Sequence, residues 1–188
     1  MGFYSRDELL SLGFSQVGEH CRVSRLASFH AIKGFLGHHV RIDDYTVLTG
    51  QVQFGSYIHI APFCMLSGNA APLVMKDCSG LSSHCAVYTA SDDYRSATLS
   101  NPAVPDGYKN VITGPVLIGA GALIGSHSVI LPSVTIGDGA SVGAHCLIYK
   151  DVAAGAVCVS RSRGVDVVGQ RDVGVIKALI GELCTTSS

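Results

Sequence analysis

Aliphatic residues recur every six positions along most of this chain. In the C-terminal half Ile118, Ile124, Ile130, Ile136, Val142 and Ile148 keep that spacing unbroken, and glycine follows at 119, 125, 137 and 143. Upstream, Leu36, Ile42, Leu48, Phe54, Ile60 and Leu66 hold the same register, preceded by Val17, Val23 and Phe29, and Met75, Leu81 and Val87 form a further block. Neither a helix of period 3.6 nor a strand of period two keeps one aliphatic residue and a following glycine in phase every sixth residue. The pattern predicts an all-β solenoid with short flat faces. Its phase breaks at three places: one extra residue between Phe29 and Leu36, three between Leu66 and Met75, and twenty-five between Val87 and Ile118. Each is expected to be an insertion at a corner.

Open solenoid ends expose unpaired strand edges and need covers. Ser5 with Glu8 three residues later has the capping-box spacing, so residues 5–12 are expected to form a short helix over the first coil. Val173 to Leu183 carries apolar residues at helical spacing and is expected to cap the last coil. The chain then reads as one domain, 1–188. The solenoid runs over 17–155 with a loop insertion at 88–115, and a C-terminal cap and tail fills 156–188.

Composition narrows the function classes. A net charge of −1 with 14% charged residues leaves no basic footprint for nucleic acid. Twenty-two glycines and no tryptophan suit a chain rich in turns. Seven cysteines, with no CxxC pair and no zinc-like spacing, read as small buried hydrophobes in a reducing compartment, and no metal is expected. No secretory pattern opens the chain and no apolar run approaches the roughly 18 residues that span a bilayer, so a cytoplasmic protein is expected.

The repeat resembles the hexapeptide motif [LIV]-[GAED]-x2-[STAV]-x of left-handed parallel β-helices over about residues 17–155. Three hexapeptides make one triangular coil there, with the aliphatic residue inward and the small residue allowing a tight corner. The segment GPVLIGAGALIGSHSVILPSVTIGDGASVGAHCLIYKDV, closing on Lys150-Asp151, resembles the C-terminal coils of the galactoside, maltose and lipopolysaccharide O-acetyltransferases. YTASDDY followed by NPAVP, YKNV and GPV resembles members associated with surface-polysaccharide biosynthesis. The resemblance implies a homotrimer with active sites between subunits and acetyl-CoA as co-substrate along the later coils. It implies an acetyltransferase acting on a sugar, nucleotide-sugar or glycan-precursor hydroxyl. By alignment of the motif, Gly125, Ser126, Gly143 and Ala144 would serve the pantetheine arm, and Tyr149 and Lys150 the nucleotide end.

The loop Tyr88–Pro115 is too long for a turn, and loops of this length are usually functional. Members of the resembled group carry a histidine near its start, in a T-x-x-H-P context, as general base on the acceptor hydroxyl. Here Asp92 stands at the matching position. A carboxylate of reference pKa near 4 is a weaker base than imidazole. His84, near the root of the loop, and His59, about one coil earlier, are the other candidates for proton transfer. Cys64, Asp93 and Tyr94 are candidates for facing the acceptor. His127 and His145 are read as packing or CoA-groove residues. The departure at Asp92 suits an alternative, N-acetylation of a nucleotide-linked amino sugar, because a neutral amine is already nucleophilic. A non-catalytic β-helical scaffold is the alternative of another class. A β-helical carbonic anhydrase is disfavoured, since its three-histidine zinc set has no His-x4-His pair here.

Overall fold

A computed structural model describes residues 2–161 and 164–185. The chain winds as a parallel β-helix of triangular section, and the hexad residues stack in three interior columns. Val17, Leu36, Phe54, Met75, Ile118, Ile136 and Val152 align on the first face. Val23, Ile42, Ile60, Leu81, Ile124, Val142 and Cys158 align on the second. Phe29, Leu48, Leu66, Val87, Ile130 and Ile148 align on the third. All of these are buried except Phe29, which is partly buried against the core with Tyr4 and Phe14 packed edge-on to its ring. A second interior position, two residues before each aliphatic, takes Val40, Ile58, Ala122 and Ala140 on one face and Thr46, Cys64, Cys85, Ser128 and Cys146 on another. Four cysteines are therefore interior, as expected, whereas Cys21, Cys78 and Cys184 are only half-buried.

Two of the corners are built from single residues in the left-handed region of backbone space. Such residues cost energy when they carry a side chain, histidine being among the more tolerant. One corner is Tyr45, Phe63, His84, His127 and His145, with φ between 56° and 63°. Stacking offsets the strain: successive rings lie 4.9, 4.9, 4.6 and 4.9 Å apart down this column. The other corner begins with His20, His39 and Tyr57, stacked at 4.8 and 4.6 Å, and continues through Cys78 to Gly121, Gly139 and Gly155.

That change from rings to glycines explains the C-terminal helix. Helix α1 spans Arg6–Ser11 and α2 spans Val173–Thr185. α1 has the predicted capping box, with Ser5 and Glu8 bonded reciprocally, and buries Leu9 under the first coil. α2 does not cap the last coil as expected. It lies lengthwise along the glycine corner, where a Cβ on Gly121 would come within 2.5 Å of Ile176 Cγ2. Arg171 Nη1 donates to the carbonyls of Gly121 and Gly139 at 3.1 and 2.9 Å, and Lys177 pairs with Asp138 at 3.0 Å. The segment expected to be cap and tail instead adds strand Ala156–Arg161 to the second face, and Gly164–Gln170 returns antiparallel beside it.

The smaller phase breaks fall, as expected, at a corner, where the chain turns from the third face to the first. The extra residues are absorbed as bulges inside bent continuous strands, Ser28–Leu36 and Met65–Met75. The large break is a true insertion with structure of its own. Ala90–Asp92 pairs antiparallel with Val111–Thr113, and Asp106–Tyr108 forms a 3₁₀ turn.

Candidate active site

The insertion leaves the coil at Thr89 and returns at Gly114. Thr89 is fully buried, its hydroxyl donates to the Ser67 carbonyl at 2.9 Å, and Gly114 N–H donates to the Thr89 carbonyl at 3.0 Å. The root is thus fixed to the coil, and the short ladder from it holds up a cavity of about 500 Å³. Tyr88, Ser91, Asp92, Tyr94, Asn101 and Lys109 are among the residues that line it.

The adjacent carboxylates of this loop have different surroundings. Asp93 accepts from the Arg95 N–H at 2.9 Å, from Asn110 Nδ2 at 2.8 Å and from the Ser96 hydroxyl. The Ser96 hydroxyl foremost, then the Arg95 amide, hold its carboxyl at about 2. A side chain so occupied is committed to the loop, and Asp93, a sequence candidate for facing the acceptor, is not among the residues that line the cavity. Asp92 is half-buried in the cavity wall, and among the described residues its carboxylate has no hydrogen-bond or ion-pair partner. Lys109, unremarked in the sequence, puts a mostly buried cation into the same cavity and pairs at 2.9 Å with the exposed Asp106. A basic residue inside a long functional loop was the available signal for it. Tyr94 lies on the cavity rim with 87% of its surface exposed.

A second concavity, about 630 Å³, runs along the outer surface of the second face. It brings His59 together with Gly125 and Ser126, and adds Ser82, Ser83 and Ser141, which sequence reasoning passed over. His59 Nε2 lies 2.8 Å from Asp43 Oδ2, and Asp43 also accepts from Arg41 at 2.7 Å. Burial alone would raise the Asp43 carboxyl, yet the Arg41 and His59 hydrogen bonds together bring it below its ordinary value. Gly125 has a packing reason as well: a Cβ there would meet the backbone nitrogen of Ala144 in the next coil at 2.5 Å. A Cβ on Gly143 would lie 3.1 Å from the Cys158 carbonyl oxygen, a looser contact than that at Gly125. Ala144, Tyr149 and Lys150 are exposed, and the Lys150 ammonium lies 5.5 Å from the Tyr149 ring centroid.

The structure does not gather all the candidates. His84 is exposed on the aromatic corner, stacked between Phe63 and His127, and lines neither concavity. Cys64 is 1% exposed with its thiol donating to the Ser82 carbonyl at 3.2 Å, and its neighbour Cys85 together with burial keep it protonated. Its inward position on the hexad, two residues before Leu66, removes it from any acceptor surface. Among the described residues no group of three or more His, Cys, Asp or Glu could hold a metal ion, and no helix is long and apolar enough to cross a membrane.

The family model "Bacterial transferase hexapeptide (six repeats)" matches residues 115–150. The chain is 34% identical, over 133 residues, to a dTDP-4-amino-4,6-dideoxy-D-glucose acyltransferase of Escherichia coli, covering 69% of each protein. The chain belongs to the hexapeptide-repeat acyltransferase family. Like its family, it is an acyltransferase. Among solved structures of that family it is similar along its whole length to AntD, an N-acyltransferase from Bacillus cereus in complex with dTDP and 3-hydroxybutyryl-CoA. The TM-score is 0.90 and the identity 35%, with 100% of both chains covered. A galactoside acetyltransferase in complex with coenzyme A is more distant, with a TM-score of 0.54 and 18% identity over 89% of this chain and 70% of that one, and shares the fold alone.

Proposed function

We propose that this enzyme transfers an acyl group from an acyl-CoA to the amino group of a nucleotide-linked amino sugar, with a dTDP-linked 4-amino-4,6-dideoxyhexose as acceptor. The full-length likeness to an N-acyltransferase bound to dTDP and an acyl-CoA carries this reading. It favours the amine alternative over the O-acetylation expected first from the sequence.

The loop cavity supports it chemically. A sugar hydroxyl must lose a proton as it attacks, which is why hydroxyl acceptors call for an imidazole-like base. No histidine lines this cavity; its one free carboxylate is Asp92. An amine, titrating like an α-amino group near about 8, offers a lone pair at neutral pH without such help. The lone pair attacks the thioester carbonyl, the C–N bond forms, the C–S bond breaks, and the nitrogen's surplus proton passes to Asp92 while the CoA thiolate departs. Asp92 also attracts the ammonium form of the acceptor. Lys109 offers a cation to the acceptor's diphosphate, and Tyr94 covers the mouth.

CoA in this reading runs along the later coils, with the backbone at Gly125, Ser126, Gly143 and Ala144 along the pantetheine arm and Tyr149 and Lys150 at the nucleotide end. In this reading His59 is held by Asp43 at the groove wall and His84 by its ring stack, and neither moves the proton. The outward residues of the third face, Val47, Met65, Ala86, Val129 and Leu147, are apolar and form a flat strip suited to contact between copies, consistent with a homotrimer whose sites lie between subunits. The buried thiols of Cys64, Cys85, Cys146 and Cys158, none of them in a disulfide, suit a reducing cytoplasm.

Calorimetric titration tests the reading at the level of binding. CoA and dTDP should each bind, and saturation with one should leave sites for the other. Absence of binding by dTDP, with GDP or UDP binding instead, would overturn the choice of nucleotide. Absence of binding by CoA would overturn the reaction.

A further inference from the structure

We propose that Asp93, with Asn110, is a positioning clasp that closes the base of the insertion and holds Asp92 and Lys109 toward the acceptor cavity. This rests on the amine-acylation reading for its kinetic part alone. The two ends of the insertion leave the antiparallel ladder at Asp93 and Asn110. There they are joined twice: the Asp93 N–H donates to the Asn110 carbonyl at 3.0 Å, and Asn110 Nδ2 donates to the Asp93 carboxylate at 2.8 Å. The second carboxylate oxygen receives the Arg95 N–H at 2.9 Å, and the Ser96 hydroxyl also donates to the carboxylate. One side chain therefore ties the outgoing strand, the first turn of the excursion and the returning strand.

The neighbours on either side of the clasp are the cavity's charged groups. Asp92 precedes Asp93 and Lys109 precedes Asn110, and both line the cavity. The two ladder rungs nearest the clasp are Asp92 with Val111 and Ser91 with Ile112. The ladder is short, and Val111, Ile112 and Thr113 are all exposed, so packing does little to hold it. Without the clasp the excursion from 94 to 109 would swing about a three-residue ladder, and the separation of Asp92 from Lys109 would no longer be fixed. Strand alternation divides the labour between the adjacent carboxylates: Asp93 binds the loop and Asp92 stays free.

The test uses a reciprocal exchange in the full-length enzyme. Asp93→Asn leaves one acceptor oxygen where the Arg95 N–H and Asn110 Nδ2 are each bonded to their own, so its NH2 must face one of these donors and a tie is lost; Asn110→Asp places two carboxylates together. Each single variant should raise the KM for the amino-sugar acceptor about tenfold or more with little change in the KM for acyl-CoA. The combined exchange, Asp93→Asn with Asn110→Asp, restores a donor facing an acceptor and should recover most of the loss. Limited proteolysis within 94–109 should follow the same order, fast in the singles and slow in the wild type and the exchange. Proteolysis needs no substrate, so it tests the clasp even if the acceptor is something else. Unchanged proteolysis in both singles overturns the clasp. A fall in kcat in Asp93→Asn that the exchange does not rescue also overturns it, and makes Asp93 a group that touches the substrate.

Discussion

His84 stacks on His127 with ring centroids 4.6 Å apart and planes 15° from parallel, in a corner where both residues adopt left-handed backbone angles. A ring at this position therefore has a structural reason that owes nothing to proton transfer. His84→Phe should keep the stack and the rate, with kcat within about threefold of wild type, far from the 10² to 10⁴ that a positioned base contributes. Steady-state kinetics decide it: a loss of 10² or more would return the proton to His84.

Asp92 is the unpaired carboxylate of the loop cavity. Asp92→Asn should lower kcat by about 10²-fold, the low end for a lost proton acceptor, because the amine supplies its own lone pair. The KM for acyl-CoA should be unchanged. Wild-type kcat in this variant would show that the proton leaves by another route.

The Asp93 carboxyl is held at about 2, well under the reference of about 4, by the Ser96 hydroxyl, the Arg95 amide and Asn110. A carboxyl whose folded value is depressed stabilises at pH above its unfolded value and loses that contribution as pH falls through the folded one. The loop should therefore be tight above pH 4 and loosen between about 4 and 2. Pepsin cleavage within 94–109 should rise over that range in the wild type, while Asp93→Asn should already be cut at pH 4. Equal cutting of the two proteins at every pH would contradict this.

Gly121 sits at φ +65 with Ile176 pressed against the site of its missing side chain. Gly121→Ala must both strain the backbone, by about 1 to 2 kcal/mol, and push α2 outward. Thermal unfolding should fall by several degrees, and hydrogen exchange in 173–185 should quicken while the coils stay protected. Unchanged exchange in α2 would mean that the helix does not depend on the glycine corner.

The interior was legible because one residue in six has a single job. Ile118 through Ile148 and Leu36 through Leu66 face inward at the predicted spacing, and Ser5 with Glu8 built the predicted cap. What failed to show in the sequence was set by contacts between coils. α2 lies along a side rather than across an end because Gly121, Gly139 and Gly155 align only once the coils are stacked. The stacking of His84 on residues 21 positions before it and 43 after it has no local signature. Asp92 and Asp93 look alike in the sequence. Only the pairing of the two loop strands, which brings Asn110 to Asp93, separates a free carboxylate from a bound one. Cys64 was a candidate for facing the acceptor because its hexad position was not used, although two residues before Leu66 already placed it inside.

The most direct measurement compares dTDP-4-amino-4,6-dideoxyglucose with the same nucleotide sugar bearing a 4-hydroxyl, following CoA release with a thiol reagent and the product by mass. Turnover of the amine, with an acylated product stable to neutral hydroxylamine as an amide is, and no more than about a hundredth of that rate on the hydroxyl sugar, is the expected result. That ratio corresponds to roughly 2.7 kcal/mol of discrimination in the transition state. Faster acylation of the hydroxyl sugar, giving a hydroxylamine-labile ester, would contradict amine transfer.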